Sequence, residues 1–217
     1  MNSQNSDRVP QTGRSTVYGI LGGIASGKSA VARLLAGKRG VVIDADRIAG
    51  ELLETTDLQR EIAAAFGPGV MQRDGRVDRE ALGRLVFGSS EARELLESFT
   101  HPRIRAKIAA ALAAARERAV ERIVLDVPLL LENDAQHHLR DECDVLVFVD
   151  TAAAERDARA VIARGWKPGE VARREQVQLA PDEKRAAADH IIQNNGTTAE
   201  LEAAVAALLR APRPARR

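Results

Sequence analysis

The run Gly22-Gly23-Ile24-Ala25-Ser26-Gly27-Lys28-Ser29 places glycines, a lysine and a hydroxyl at the spacing with which a backbone turn holds phosphate. Glycines let the chain turn tightly and bring several N–H groups onto anionic oxygens, and a helix starting there adds the positive end of its dipole. Lys28 would supply a point charge at the β- and γ-phosphates of a nucleotide, and the Ser29 hydroxyl would be a ligand to Mg²⁺. Acids follow two other apolar runs. Val41-Val42-Ile43 leads into Asp44-Ala45-Asp46, and Ile123-Val124-Leu125 into Asp126. In open parallel sheets ligands sit beyond the carboxyl ends of the strands, so Asp46 would face the crevice of the phosphate loop. The alternative is an N-cap of the next helix, a role open to Asp44 or Asp46. Asp126 could hold the Mg²⁺ shell beside Ser29, or be an ordinary hydrogen-bonded loop acid.

These residues need a scaffold, and the pattern around them is that of an α/β protein. Val17 to Leu21 reads as a buried strand before the loop, while Val31, Leu34 and Leu35 after it share one helical face. Val145 to Val149 is an uninterrupted apolar run fit for a sheet buried on both faces, Pro128 stops the run at 123–127, and His190-Ile191-Ile192 makes a last short strand. Thr197 with Glu200 forms a capping box for a final helix facing inward through Leu201, Val205, Leu208 and Leu209.

From Leu52 to about Glu121 the pattern is helical, broken at Phe66-Gly67-Pro68-Gly69 and at Asp74-Gly75, which predicts a helical lobe inserted between two strands. Thr100-His101-Pro102 there precedes a helix repeating at Ile104, Ile108 and Leu112. His101 reads as a capping or packing residue, with a substrate contact as the alternative. The segment Glu155 to Lys184 is dense in arginine (Arg156, Arg159, Arg164, Arg173, Arg174) and breaks at Gly165-Trp166-Lys167-Pro168-Gly169 between two helices. It has the character of a lid that closes over phosphates and excludes water; the alternative is two exposed helices pinned together by Trp166.

With 217 residues, 45% of them hydrophobic and 29% charged, the chain can bury one α/β core with accessory lobes. A net charge of +1 gives no reason to expect nucleic acid as the main partner, and no apolar run is long enough for a membrane span. The first fourteen residues are polar, without the apolar stretch of a signal peptide, and there is a single cysteine, Cys143. Both fit a cytoplasmic protein with a loose N-terminal arm. His137-His138 lacks zinc-ligand spacing toward Cys143 and reads as loop surface.

In combination these motifs resemble the dephospho-CoA kinase family from about Val17 to Leu209: the phosphate loop, Val42 to Asp46, Phe66-Gly67 with Asp74-Gly75 and Asp78-Arg79, His101-Pro102, Val127-Pro128-Leu129-Leu130 with Glu132, the lid arginines, Gln178 with Lys184, and Ala188-Asp189-His190-Ile191-Ile192 before Asn194 and Gly196. The resemblance implies a P-loop NTPase fold with a parallel sheet of about five strands flanked by helices, a helical substrate-binding insertion and a helical lid. It implies ATP-dependent phosphorylation of the ribose 3′-hydroxyl of dephospho-CoA, with ATP and Mg²⁺ as cofactors, by a monomer or weak homo-oligomer. The expected divisions are a disordered arm at 1–14, a nucleotide-binding core at 15–51, 121–152 and 186–210, a CoA-binding insertion at 52–120, a lid at 153–185 and a disordered tail at 211–217.

Carried over by position, the family's pattern gives the ATP phosphates to Ala25, Ser26, Gly27, Lys28, Ser29 and Ala30, makes Asp46 the acid beside the acceptor hydroxyl, and makes Arg159 a phosphate clamp with Arg164 on the substrate. It places His101 toward the coenzyme, and Asn194 and Gly196 near the adenine. Leu21 and Ala30 stand where the family favours threonine, and one additional residue separates Arg159 from Arg164. Two other readings use the same loop. One is a different small-molecule or nucleoside monophosphate kinase; the other is a nucleotide-binding regulator without transfer activity.

Overall fold

The computed structural model describes residues 15–212; the expected arm at 1–14 and all but the first two residues of the expected 211–217 tail lie outside it. Five strands, β1 (Thr16–Gly22), β2 (Gly40–Asp44), β3 (Arg122–Asp126), β4 (Val145–Asp150) and β5 (His190–Gln193), form one sheet in the order β2-β3-β1-β4-β5. Every neighbouring pair is parallel. Between strands run α1 (Lys28–Ala36), α2 (Ala45–Leu52), α3 (Thr56–Phe66), α4 (Arg79–Gly88), α5 (Ser90–Glu117), α6 (Asp134–His137), α7 (Leu139–Glu142), α8 (Ala153–Arg164), α9 (Glu170–Glu175) and α10 (Pro181–Ala187), and α11 (Thr198–Arg210) closes the chain. No described helix is long and apolar enough to cross a membrane.

Strand alternation divides the interior in two. Val17 and Leu21 of β1 join Ile123, Leu125, Leu146 and Phe148 in a core shared with α2–α5, whereas Tyr18 and Ile20 join Val124, Val145, Val147 and Val149 in a core closed by α1 and α11. Burial on both faces explains the near-continuous apolar runs of the central strands. Gly19 is required by packing: a Cβ there would lie 2.7 Å from Cys143 Sγ and 2.7 Å from Leu146 Cδ2. Cys143 is thus wedged against the central strand. Its thiol donates to the Leu139 carbonyl at 3.3 Å, and burial, followed by the charge of Asp144, pushes its pKa up to about 12.

Three details differ from the sequence expectation. α5 does not start at Pro102; it starts at Ser90, capped by the Ser89 hydroxyl, and runs through the proline. Side chains around the proline satisfy nearby carbonyls, Thr100 donating to Leu96 at 2.9 Å and Arg103 to Phe99 at 2.7 Å. Phe99, Ile104, Ile108 and Leu112 then pack on the core from both sides of the proline, so tertiary burial outweighs the lost backbone bond. The arginine-dense segment contains three helices, because Pro181 starts α10 after the two expected. His137 is not loop surface: its ring is only 10% exposed, and burial lowers its pKa.

Candidate active site

The phosphate loop leaves β1 at Gly22 and enters α1 at Lys28. Its curvature needs left-handed backbone at Ala25 (φ 58°) and Gly27 (φ 90°), the second being the cap of α1. The Lys28 ammonium donates to the carbonyls of Gly22 at 3.0 Å and Gly23 at 2.9 Å, leaving one of its three hydrogens for an incoming anion. Burial above all lowers the Lys28 pKa, nearby Lys184 adds to this, and Asp126 opposes it. The Ser29 hydroxyl donates to Asp126 Oδ2 at 2.7 Å, so the ends of β3 and of the loop meet in one all-oxygen pair.

The two acids after β2 have different tasks. Asp44 is the N-cap of α2, its carboxylate accepting the Arg47 amide at 2.9 Å. Asp46, in the first turn, is released from capping and lines a cavity of about 580 Å³. The cavity is also lined by Ala25 to Ala30, Arg33, Asp126, Glu132, Arg159, Arg164, Gln178 and Lys184. Although Asp46 is exposed to this cleft, the surrounding protein withdraws enough water to raise its pKa, and the like charges of Asp44 and Asp126 raise it further.

Of the expected site residues, Ala25, Ser26, Gly27, Lys28, Ser29, Ala30, Asp46, Asp126, Arg159 and Arg164 are brought together, while His101, Asn194 and Gly196 do not line the cavity. Asn194 is buried behind the loop, where its amide donates to the Ser26 carbonyl at 2.7 Å. That carbonyl also accepts from the Thr151 hydroxyl at 2.9 Å and from Arg159 at 3.5 Å, while a second Arg159 nitrogen donates to the Asn194 carbonyl at 2.8 Å. At Gly196 the space of a side chain is taken by Glu200, whose carboxylate accepts from the Thr197 amide at 2.7 Å in the capping box. His101 lies within α5.

Two charged groupings carried no individual role in the sequence reading. Lys184, on the inward side of α10, pairs with Glu132 at 2.7 Å and donates to Gln178 at 3.1 Å, with only 7% of its side chain exposed. Arg156 pairs with Glu175, and Glu175 accepts the Ile24 amide of the loop at 2.7 Å. A lysine at an inward helical position and an acid directly after Leu129-Leu130-Leu131 were the available signals.

A central parallel strand ending in such a loop, with a carboxylate lining the same cavity as the lysine, defines a P-loop kinase. The chain belongs to the dephospho-CoA kinase family, whose family model matches residues 16–200. It is 41% identical over 189 residues to a dephospho-CoA kinase of Thermobifida fusca, covering 87% of this chain and 92% of that relative. It is 43% identical over 188 residues to one of Geobacter sulfurreducens, covering 86% and 93%. A solved Thermus thermophilus structure superposes with a TM-score of 0.74 at 32% identity, over 90% of this chain and 97% of that one.

Proposed function

We propose that the chain transfers the γ-phosphoryl group of ATP to the ribose 3′-hydroxyl of dephospho-CoA, with Asp46 accepting or orienting the hydroxyl proton. The reaction class is the family's: ATP-dependent phosphorylation of dephospho-CoA in the synthesis of coenzyme A. One arrangement carries the proposal, namely Lys28 on the loop and Asp46 at the start of α2 lining the same cavity. In-line transfer through a loose transition state asks for position and charge stabilisation more than for covalent help. The loop amides and Lys28 would hold the donor, Arg159 and Arg164 would meet charge on the transferring group, and Asp46 would stand at the nucleophile. Its raised pKa makes it a better proton acceptor than an ordinary surface carboxylate.

The Ser29 hydroxyl and Asp126 carboxylate form a hard oxygen donor set that suits Mg²⁺ and would hold it beside the phosphates. When bound, that ion neutralises charge on the β- and γ-oxygens. In this reading 52–120 receives the coenzyme portion, His101 with it, and 153–185 is the lid. The turn from Asn194 to Gly196 lies toward the adenine, and the enzyme works in the cytoplasm as a monomer or weak homo-oligomer. An ADP-release assay run with dephospho-CoA, AMP, CMP and shikimate tests the acceptor, with mass spectrometry locating the added phosphate. Turnover with dephospho-CoA alone and phosphate on the 3′-oxygen is the expected result. Preference for another acceptor, or nucleotide binding without product, would overturn the proposal.

A further inference from the structure

Arg174 and Glu175 are consecutive on α9 and reach to different parts of the molecule. Glu175 holds the Ile24 amide of the phosphate loop at 2.7 Å, and its ion pair with Arg156 is buried, the side chains being 16% and 10% exposed. Gly23 has no room for a Cβ because Arg156 Nη1 and Glu175 Oε1 would each lie 2.5 Å from it. Arg174 instead places its guanidinium 4.2 Å from the ring centroid of Trp166 and 4.9 Å from that of Phe87, which is in the last turn of α4. Trp166 also carries Arg164 at 4.8 Å, and Arg164 lines the cavity. Phe87 is 66% exposed and belongs to neither core, so hydrophobic burial does not account for its placement.

We infer that Phe87, Arg174 and Trp166 form a latch between the helical insertion and the arginine-rich helices, with α9 as the bracket that sets the distance from the acceptor to the phosphate loop. The inference rests on the reading of 52–120 as the part that receives dephospho-CoA. Phosphoryl transfer demands that the hydroxyl approach within about 3–3.5 Å of the reacting phosphorus, and small misplacements are costly. A guanidinium between two rings fixes such a distance while staying reversible, since cation–π contacts are individually modest. Phe87 and Arg174 are therefore positioning residues: neither lines the cavity.

Phe87→Ala and Arg174→Ala should lower kcat/KM for dephospho-CoA about five- to tenfold while changing the KM for ATP less than about twofold. The thermal midpoint of Phe87→Ala should stay at the wild-type value, because the removed ring is outside the cores. Trp166 is the sole tryptophan, so its emission reads the stack directly and should change in both variants. Phe87→Tyr should restore emission and kcat/KM, and Phe87→Leu should not. Unchanged kcat/KM in Phe87→Ala, an equal loss toward both substrates, or rescue by leucine would overturn the latch. If the wild-type protein does not phosphorylate dephospho-CoA, the functional reading fails instead. The latch then stands if Phe87→Ala changes Trp166 emission and Phe87→Tyr restores it, and falls if the emission does not move.

Discussion

The phosphate loop and the helices that follow β2 are built differently. Around the loop the bonds are buried or half-buried: Thr151, Asn194 and Arg159 all reach the Ser26 carbonyl, and Glu175 holds the Ile24 amide. On the side proposed for the acceptor, the surface of α2–α4 is laced by exposed pairs such as Arg47 with Glu51, Arg79 with Glu54 and Arg84 with Glu80. Exposed pairs contribute little each, whereas a buried polar group deprived of its partner is expensive. A triphosphate needs amides at fixed points before it arrives, so rigidity serves the donor. The acceptor must enter, be enclosed and leave, which favours contacts that can be broken.

Substitutions on the two sides should therefore differ in size and in which substrate they affect. Lys28→Ala should be the most damaging, lowering turnover by a factor of hundreds, about 3–4 kcal/mol of lost charge stabilisation, in a single-turnover assay. Asp46→Asn should reduce turnover about a hundredfold while calorimetry finds ATP affinity largely intact, and unchanged turnover would remove Asp46 from the chemistry. Its carboxyl also sets a pH test. Burial, with Asp44 and Asp126, raises its folded pKa, so in wild type the acid limb of the rate profile should lie above the ordinary carboxylate range. The same shift favours the folded state when the proton is on, below the unfolded pKa, and this advantage is lost as pH rises through the folded value. At neutral pH the ionised group costs stability, so Asp46→Asn should melt slightly higher than wild type.

Smaller effects should sharpen the contrast. Asn194→Ala removes one of the three donors to the Ser26 carbonyl behind the loop and should weaken ATP binding about fivefold, with the KM for dephospho-CoA unchanged. Arg84→Ala, on the exposed face of α4, should shift a denaturant midpoint by under about 0.5 kcal/mol and leave both substrates alone. A large loss there would contradict the idea that the acceptor side is held loosely.

The phosphate loop was legible in the sequence because its shape is local: glycine positions and a helix start determine it within eight residues. Asp126 was legible as a strand-end acid, and the structure hydrogen-bonds it to Ser29 at the mouth of the loop; its role toward a metal belongs to the proposal. Strand-end position and the family resemblance already point to Asp46 for the crevice, but spacing leaves the cap open to Asp44 or Asp46; the start of α2 assigns it to Asp44. The hub at Ser26 was hidden for another reason. Thr151 and Asn194 reach it from distant positions, and no local pattern records that meeting. Pro102 misled because its local cost is real, but a helix packed at Phe99, Ile104 and Ile108 tolerates it.

The cysteine wedged behind the central strand has a consequence for the chemistry of the product. Coenzyme A and its precursor both end in a thiol, and a nucleophilic cysteine nearby would exchange with their disulfide forms. With its pKa pushed up to about 12 and its sulfur packed against Gly19, Cys143 is poorly set for that exchange. Its packing thus sets the one cysteine of the chain apart from the thiol chemistry of its substrate and product.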